Sequence, residues 1–168
     1  MPTMIRVLQA EDAALYRPLR LCALSEDPAA YLTSPEEFAA RSLAEIAGQL
    51  APTETAFTLG AFAGAQLVGM ATLVRAGRLK LRHRADVMAV YVAPEVRGQG
   101  AATSLLGALI QQARQLPGLD VLGLNVTEPQ LAARQLYLKL GFSVWGVQPD
   151  ALRQAGEPLT ELHMQLRL

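Results

Sequence analysis

Arg97-Gly98-Gln99-Gly100-Ala101-Ala102 is the stretch of this chain whose residue types and spacing speak most directly of chemistry. Two glycines at alternate positions permit positive φ and keep side chains clear of the backbone. The small residues after them open an apolar helical stripe through Leu105, Leu106, Leu109, Ile110 and Ala113. A helix start of this kind turns unpaired N–H groups and the positive end of its dipole outward, which suits an anion. Arg97 can add a charged fork for a diphosphate. The turn lacks both the P-loop lysine and the Ser or Thr that would hold magnesium, which disfavours nucleotide hydrolysis. On these residues alone, a tight strand-to-helix turn needing glycine only for packing is an equal alternative. Cys22 falls on an apolar helical stripe with no neighbouring His, and reads as a buried structural thiol rather than a nucleophile. His83 and His163 lie far apart with no ligand spacing, so no metal is expected.

The elements that must position this turn follow from periodicity and punctuation. Met4–Gln9 reads as an opening strand. A helix follows through Leu15, Leu19, Cys22 and Ala23, which Pro18 should strain or split. Pro35–Leu50 reads as a second helix, with Ser34 as N-cap, Pro35 at N1 and Glu37 at N3. Strands are expected at Ala56–Ala63 and Gln66–Arg75 around a turn at Gly64, and then along "RHRADVMAVYVAP" up to Pro94. The glycine turn and its helix come next, stopped by Pro117-Gly118. "DVLGLNV" reads as a strand and "EPQLAARQLYLKLGF" as a helix, with Pro129 near its first turn and Gly141 as a left-handed cap. "SVWGV" and "LTELHMQLRL" supply two more strands. A full helix between the strands ending at Val92 and starting at Val121 makes those two parallel neighbours in a right-handed crossover. The result is a mixed α/β sheet with helices on both faces.

Bulk properties fit this reading. The 168 residues suit one domain, 1–168, able to bury ~70% of its unfolded surface. Fifteen basic and fifteen acidic residues balance to zero, so no global field recommends nucleic acid or an anionic membrane. The single cysteine excludes an internal disulfide framework. No signal-like amino terminus and no run of about 18 apolar residues is visible, and a cytoplasmic protein is expected.

Two stretches carry a family resemblance. "VYVAPEVRGQGAATSLL" resembles the signature of the GNAT superfamily of N-acetyltransferases, in which Arg/Gln-x-x-Gly-x-Gly/Ala follows a strand ending in Pro. Further along, "QLAARQLYLKLGFSVWG" resembles the second signature, Ala-x-x-Leu-Tyr-x-Lys-x-Gly-Phe, in the family's order. "LRLCALSEDPAAYLTSPEEF" and "VQPDALRQAGEPLTELHM" are similar to parts of bacterial members. The resemblance therefore spans nearly the whole chain, most specifically Asp86–Gly146.

The resemblance implies a mostly antiparallel sheet whose parallel central pair splays apart to admit acetyl-CoA. It places the coenzyme's diphosphate on the backbone of Arg97, Gly98, Gln99, Gly100, Ala101 and Ala102, with Thr103. Ala89, Val90, Tyr91 and Val92 would pair β-fashion with the pantetheine amides, and a main-chain N–H near Val90–Val92 would stabilise the acyl oxygen. Asn125 would bind the pantetheine arm, or else cap the strand end. Gln130 stands where many relatives carry Asn, and Gly123 fits a close approach or plain packing. Tyr137 would be the general acid for the leaving thiolate, against an ordinary helix–sheet aromatic. Asp86 matches a position where many relatives have Glu, and would be the base, directly or through water, against a surface carboxylate. Transfer would then be direct, in a ternary complex, to a primary amine of a small molecule, peptide or protein. A homodimer is left open. Glu26, Asp27, Glu36 and Glu37 around Tyr31 border the implied acceptor side, although caps and solvated charge explain them as well. The basic hairpin Arg75, Arg78, Lys80, Arg82 and Arg84 reads as solvated charge. A non-catalytic acyl-CoA-binding module and a nucleotide-binding protein are the alternatives to an enzyme.

Overall fold

Short runs of β-branched and apolar residues build the strands, and their burial shows how the sheet is covered. In the computed structural model, which describes residues 2–168, β1 (Met4–Val7), β2 (Ala56–Ala63), β3 (Gln66–Arg75) and β4 (Arg84–Val92) form an antiparallel run. The sheet continues with β5 (Val121–Thr127), β6 (Ser143–Gln154) and β7 (Glu157–Arg167) in the order β1-β2-β3-β4-β5-β7-β6. The β4–β5 pair is parallel and every other pair antiparallel. Successive residues of β2 (Leu59 to Phe62) and β3 (Leu67 to Ala71) are buried, so both faces of the sheet centre are covered.

Three helices precede β2: α1 (Ala13–Glu26), α2 (Pro35–Ala39) and α3 (Leu43–Leu50). The crossover helix α4 (Ala101–Arg114) links β4 to β5, and α5 (Leu131–Lys139) links β5 to β6. The main core gathers Leu59, Met70, Leu73, Leu105, Leu109, Leu122 and Met164, all fully or almost fully buried. A smaller cluster of Ala13, Leu24, Phe38 and Ile46 joins the first three helices.

Several expectations are corrected. The helix expected over Pro35–Leu50 is two helices. Ser34 and Glu37 form the expected capping box, but Ser42 and Glu45 form a second one, and a fresh N-terminus interrupts the run. Helix α1 passes through Pro18 unbroken, because burial of Leu19, Ala23 and Leu24 outweighs one lost backbone bond. Cys22 is exposed rather than buried, and so is Leu15. The buried residues of α1 are Ala13, Leu19, Ala23 and Leu24, with Tyr16 and Arg20 half-buried on the same side, well round the helix from Cys22. Finally, β6 outruns "SVWGV": it crosses an irregularity at Gln148/Leu152 and returns through an Ala155-Gly156 turn with positive φ at both residues.

Candidate active site

The site begins where a sheet ladder stops. β4 and β5 pair at only three positions, Arg84 with Val121, Ala85 with Leu122 and Asp86 with Gly123. Beyond them the strands diverge, and the wedge opens into a cleft of about 660 Å3. Its walls are β4 from Asp86 to Val92, β5 from Leu124 to Thr127, the inner face of α5, and the connection from Asp27 to Thr33. A volume of this size suits a small-molecule ligand.

The wall of β4 is re-aimed by a bulge. Ala89 and Val90 together stand opposite Ala71, and Ala89 takes φ of 54°. The Val90 carbonyl consequently accepts from the Tyr31 hydroxyl at 2.7 Å. The α1–α2 connection is tied down at two further points: Thr127 Oγ1 donates to the Ala29 carbonyl at 3.0 Å, and Gln130 Nε2 to Asp27 Oδ1 at 3.1 Å. Gln130 is thus the residue before α5 that fastens this wall. Asn125 is the exposed residue of an otherwise buried strand and lines the cleft.

At one end of the cleft lies the glycine turn. Gly98 and Gly100 adopt φ of 74° and 80°, and a Cβ at either would meet open space, so conformation rather than crowding demands glycine. Among the described residues, the N–H groups of Gly98, Gln99, Gly100, Ala101, Ala102 and Thr103 have no backbone acceptor. This row of free donors at the start of a 14-residue helix fits a diphosphate. Arg97 is engaged elsewhere: its Nη1 lies 2.7 Å from Glu26 Oε1 and its Nε donates to the Val92 carbonyl at 3.0 Å. The Tyr91 hydroxyl donates to the same Glu26 carboxylate. This bond and then Arg97 hold Glu26 below the usual carboxylate range, while burial and Glu26 push the Tyr91 phenol up.

Tyr137 faces the cleft from α5, and its setting explains the spacing of the second signature. Gly141 at φ of 99° closes a left-handed cap, in which Gly141 N–H donates to the Leu138 carbonyl and Phe142 N–H to the Tyr137 carbonyl. The turn brings Phe142 back edge-on against Tyr137, with ring centroids 5.9 Å apart. The ring is therefore clamped and buried, whereas its hydroxyl has no hydrogen-bond partner among the described residues. Burial raises its pKa to about 12, so the phenol keeps its proton at neutral pH. Asp86 lines the same cleft at the apex of the wedge. Its Oδ1 occupies space that a Cβ on Gly123 would enter at 3.0 Å, so Gly123 makes room for Asp86.

One residue that sequence reading left out, Arg20, also lines the cleft, and two that it read only as a border of the acceptor side have definite tasks: Glu26 anchors Arg97 and Tyr31 props the bulge. Arg20 carried a signal, a cation at i+4 from Tyr16 and i−4 from Leu24 inside the buried arc. Of the acids near Tyr31, Glu37 is spent on its capping box. In the basic hairpin, Arg75 ties the turn together through the Arg82 and Pro117 carbonyls.

Residues 19–142 match the family model of the acetyltransferase (GNAT) family. The chain belongs to that family. Its fold superposes on an acetyltransferase of the GNAT family from Streptococcus pneumoniae with a TM-score of 0.88, at 22% identity over 99% of both chains. It also superposes on a phosphinothricin acetyltransferase from Sinorhizobium meliloti, solved with AcCoA, with a TM-score of 0.83 at 21% identity, over 100% of this chain and 89% of the other. Over 79 residues it is 37% identical to the L-methionine sulfoximine/L-methionine sulfone acetyltransferase of Pseudomonas paraeruginosa. That match spans 47% of this GNAT chain and 45% of the relative. The mixed, mostly antiparallel sheet with one splayed parallel pair is the family's fold. No helix among the described residues is long and apolar enough to cross a membrane.

Proposed function

We propose that this chain is a single-domain cytoplasmic N-acetyltransferase that moves the acetyl group of acetyl-CoA to a primary amine by direct attack in a ternary complex. One observation carries the reading: the wedge between β4 and β5 has free N–H donors at one end and Asp86 and Tyr137 on its walls. Two of the relatives are named for acetylating small molecules, L-methionine sulfoximine or sulfone and phosphinothricin, and the second is solved with AcCoA.

In this reading the N–H groups from Gly98 to Thr103 bind the diphosphate, and Arg97, steered by Glu26, stands beside them. Backbone of the bulged Ala89–Val92 segment and the Asn125 side chain orient the pantetheine arm along the wedge, while Gln130 holds the opposite wall in place. Acetyl-CoA supplies the activated thioester when bound. Asp86 takes the proton that a protonated amine must lose before it can attack, directly or through one water. Tyr137, protonated throughout the physiological range, gives its proton to the departing sulfur; a positioned acid of this kind typically contributes ~10²–10⁴-fold.

Calorimetry with acetyl-CoA and ATP, followed by free-thiol release across a panel of amines, tests the proposal. Binding of acetyl-CoA but not ATP, with amine-dependent thiol release, is the expected result. Acetyl-CoA binding with no acceleration by any amine would reduce the chain to a binding module.

A further inference from the structure

A second cavity, of about 170 Å3, lies behind the acceptor side of the cleft between the first three helices and β2–β4. It shares Arg20, Thr33, Met88 and Ala89 with the main cleft, so the two meet at the β4 bulge. Its charged lining is cationic only: Arg20 and Arg41 face it, and no Asp or Glu does. Neither arginine takes part in an ion pair among the described residues. Arg41 Nη1 donates to the neutral Gln49 Oε1 at 2.9 Å. The Arg20 guanidinium carbon lies over the Tyr31 ring, 4.6 Å from the centroid, and its Nη1 is buried without a hydrogen-bond partner among the described residues.

A buried donor of a charged group is seldom left unsatisfied in a native protein, because the desolvation cost goes uncompensated. A guanidinium carbon over an aromatic ring is a cation–π contact, and it gives Nη1 no acceptor, so a planar carboxylate would supply the missing partner. The same cavity holds a further free donor. Thr58 and Thr72 Oγ1 lie 2.8 Å apart, one donating to the other, so the second hydroxyl keeps a proton to give.

We infer that this cavity binds a carboxylate of the acceptor, on Arg20 with Arg41 beside it. The acceptor is then a free amino acid or a close analogue rather than a side-chain amine within a folded protein. The cavity holds a carboxylate and a few attached carbons, and it opens at Ala89, two strand positions short of Tyr91 and three beyond Asp86. An acceptor seated there presents an amine close to its carboxylate to the chemistry at the wedge. This inference rests on the acetyl-transfer reading above.

The test uses acetyl-CoA with the common L-amino acids and L-methionine sulfone, each paired with its carboxamide, in the thiol-release assay. Calorimetry of the matching N-acetyl acids and N-acetyl amides on the CoA-loaded protein runs alongside. We expect the preferred acid to exceed its amide at least about tenfold in kcat/KM. Arg20→Met should lower kcat/KM for the acid roughly ten- to a hundredfold, mainly through KM, and lower it for the amide at least about tenfold less. Equal use of acid and amide by the unmodified protein overturns the carboxylate site while leaving acetyl transfer standing. Arg20-dependent binding of an N-acetyl acid without any turnover does the reverse. Equal loss for acid and amide in Arg20→Met, or neither binding nor turnover of any acid, also overturns the site.

Discussion

Replacing Tyr137 with Phe removes one oxygen and tests the assignment of the general acid. The structure separates its effects on stability and on rate. The ring is 7% exposed and clamped edge-on by Phe142, and Phe preserves both the clamp and the burial. The hydroxyl has no partner among the described residues, so its loss leaves none of their groups orphaned, and stability should stay within about 0.5 kcal/mol of the parent. If the hydroxyl protonates the leaving sulfur, turnover should fall by ~10²–10⁴, equivalent to roughly 2.7–5.5 kcal/mol of barrier. Acetyl-CoA affinity should hold within about threefold, since the lost interaction belongs to the transition state. The pH dependence adds an independent check. With a folded pKa near 12 against an unfolded value of 10.0, the phenol carries its proton throughout the assay range, so no falling limb from Tyr137 should appear below about pH 10. The same sign makes folding stability insensitive to this group below that pH and reduced as the pH rises from there towards 12. The assays are steady-state thiol release from pH 6 to 10, urea denaturation, and calorimetry with acetyl-CoA. Turnover within threefold of the parent refutes the acid role, and a stability loss above about 1.5 kcal/mol would make Tyr137 a packing residue instead.

Three other substitutions probe separate parts of the molecule. Gly100→Ala forces a side chain onto a φ of 80°, a strain of about 1–2 kcal/mol; relief by turning the loop should weaken acetyl-CoA binding ~5–30-fold by calorimetry, and unchanged affinity in the folded variant would refute the cradle. Gly123→Ala places a methyl 3.0 Å from Asp86 Oδ1 and must shift that carboxylate, so kcat/KM for the amine should drop up to about a hundredfold; retained activity would remove Asp86 from the chemistry. Asp12 accepts two Arg6 bonds at 2.7 and 2.8 Å and one from the Gln9 N–H, and the Arg6 bonds foremost hold its pKa below the usual range. Asp12→Asn should cost about 1.5–3 kcal/mol in urea melts at pH 7. Because the folded pKa is depressed, that stabilisation is present above about pH 4 and fades as the pH falls below it, so parent and variant should converge near pH 2; a constant difference across that range would contradict the ion-pair account.

Where local chemistry decided the structure, the sequence was legible. Strands β2 and β3 fall on their expected bounds because two continuous apolar runs flank a tight turn at Gly64. The left-handed cap at Gly141 and the capping box at Ser34 follow from residue types at fixed offsets. Tertiary packing decided the rest. Which arc of α1 turns inward depends on the sheet and on Phe38 and Ile46, and that packing left Arg20 half-buried and Cys22 exposed. The break at Ser42 was written in the sequence, but two overlapping helix signals concealed it. Of the candidate site, Asp86, Asn125, Gln130, Tyr137 and Ala89–Val92 line one cleft with Arg97. The engagement of Arg97 by Glu26 joins residues 71 positions apart, and no local pattern encodes such a contact.

The short β4–β5 ladder has a consequence for how the molecule holds together. Among the described residues its three rungs are the sole strand pairing between the block β1–β4 and the block β5–β7–β6. Past Asp86 and Gly123, the edge of each block that looks into the wedge has amides with no sheet partner across it. Hydrogen exchange should therefore show a comb along β4, slow where an amide bonds to β3 and fast at the alternate positions. A coenzyme arm laid between the blocks would act as a missing rung. At a hundred times its Kd it would add about 2.7 kcal/mol, raise the melting temperature by roughly 5–11 °C, and silence the fast teeth of the comb first.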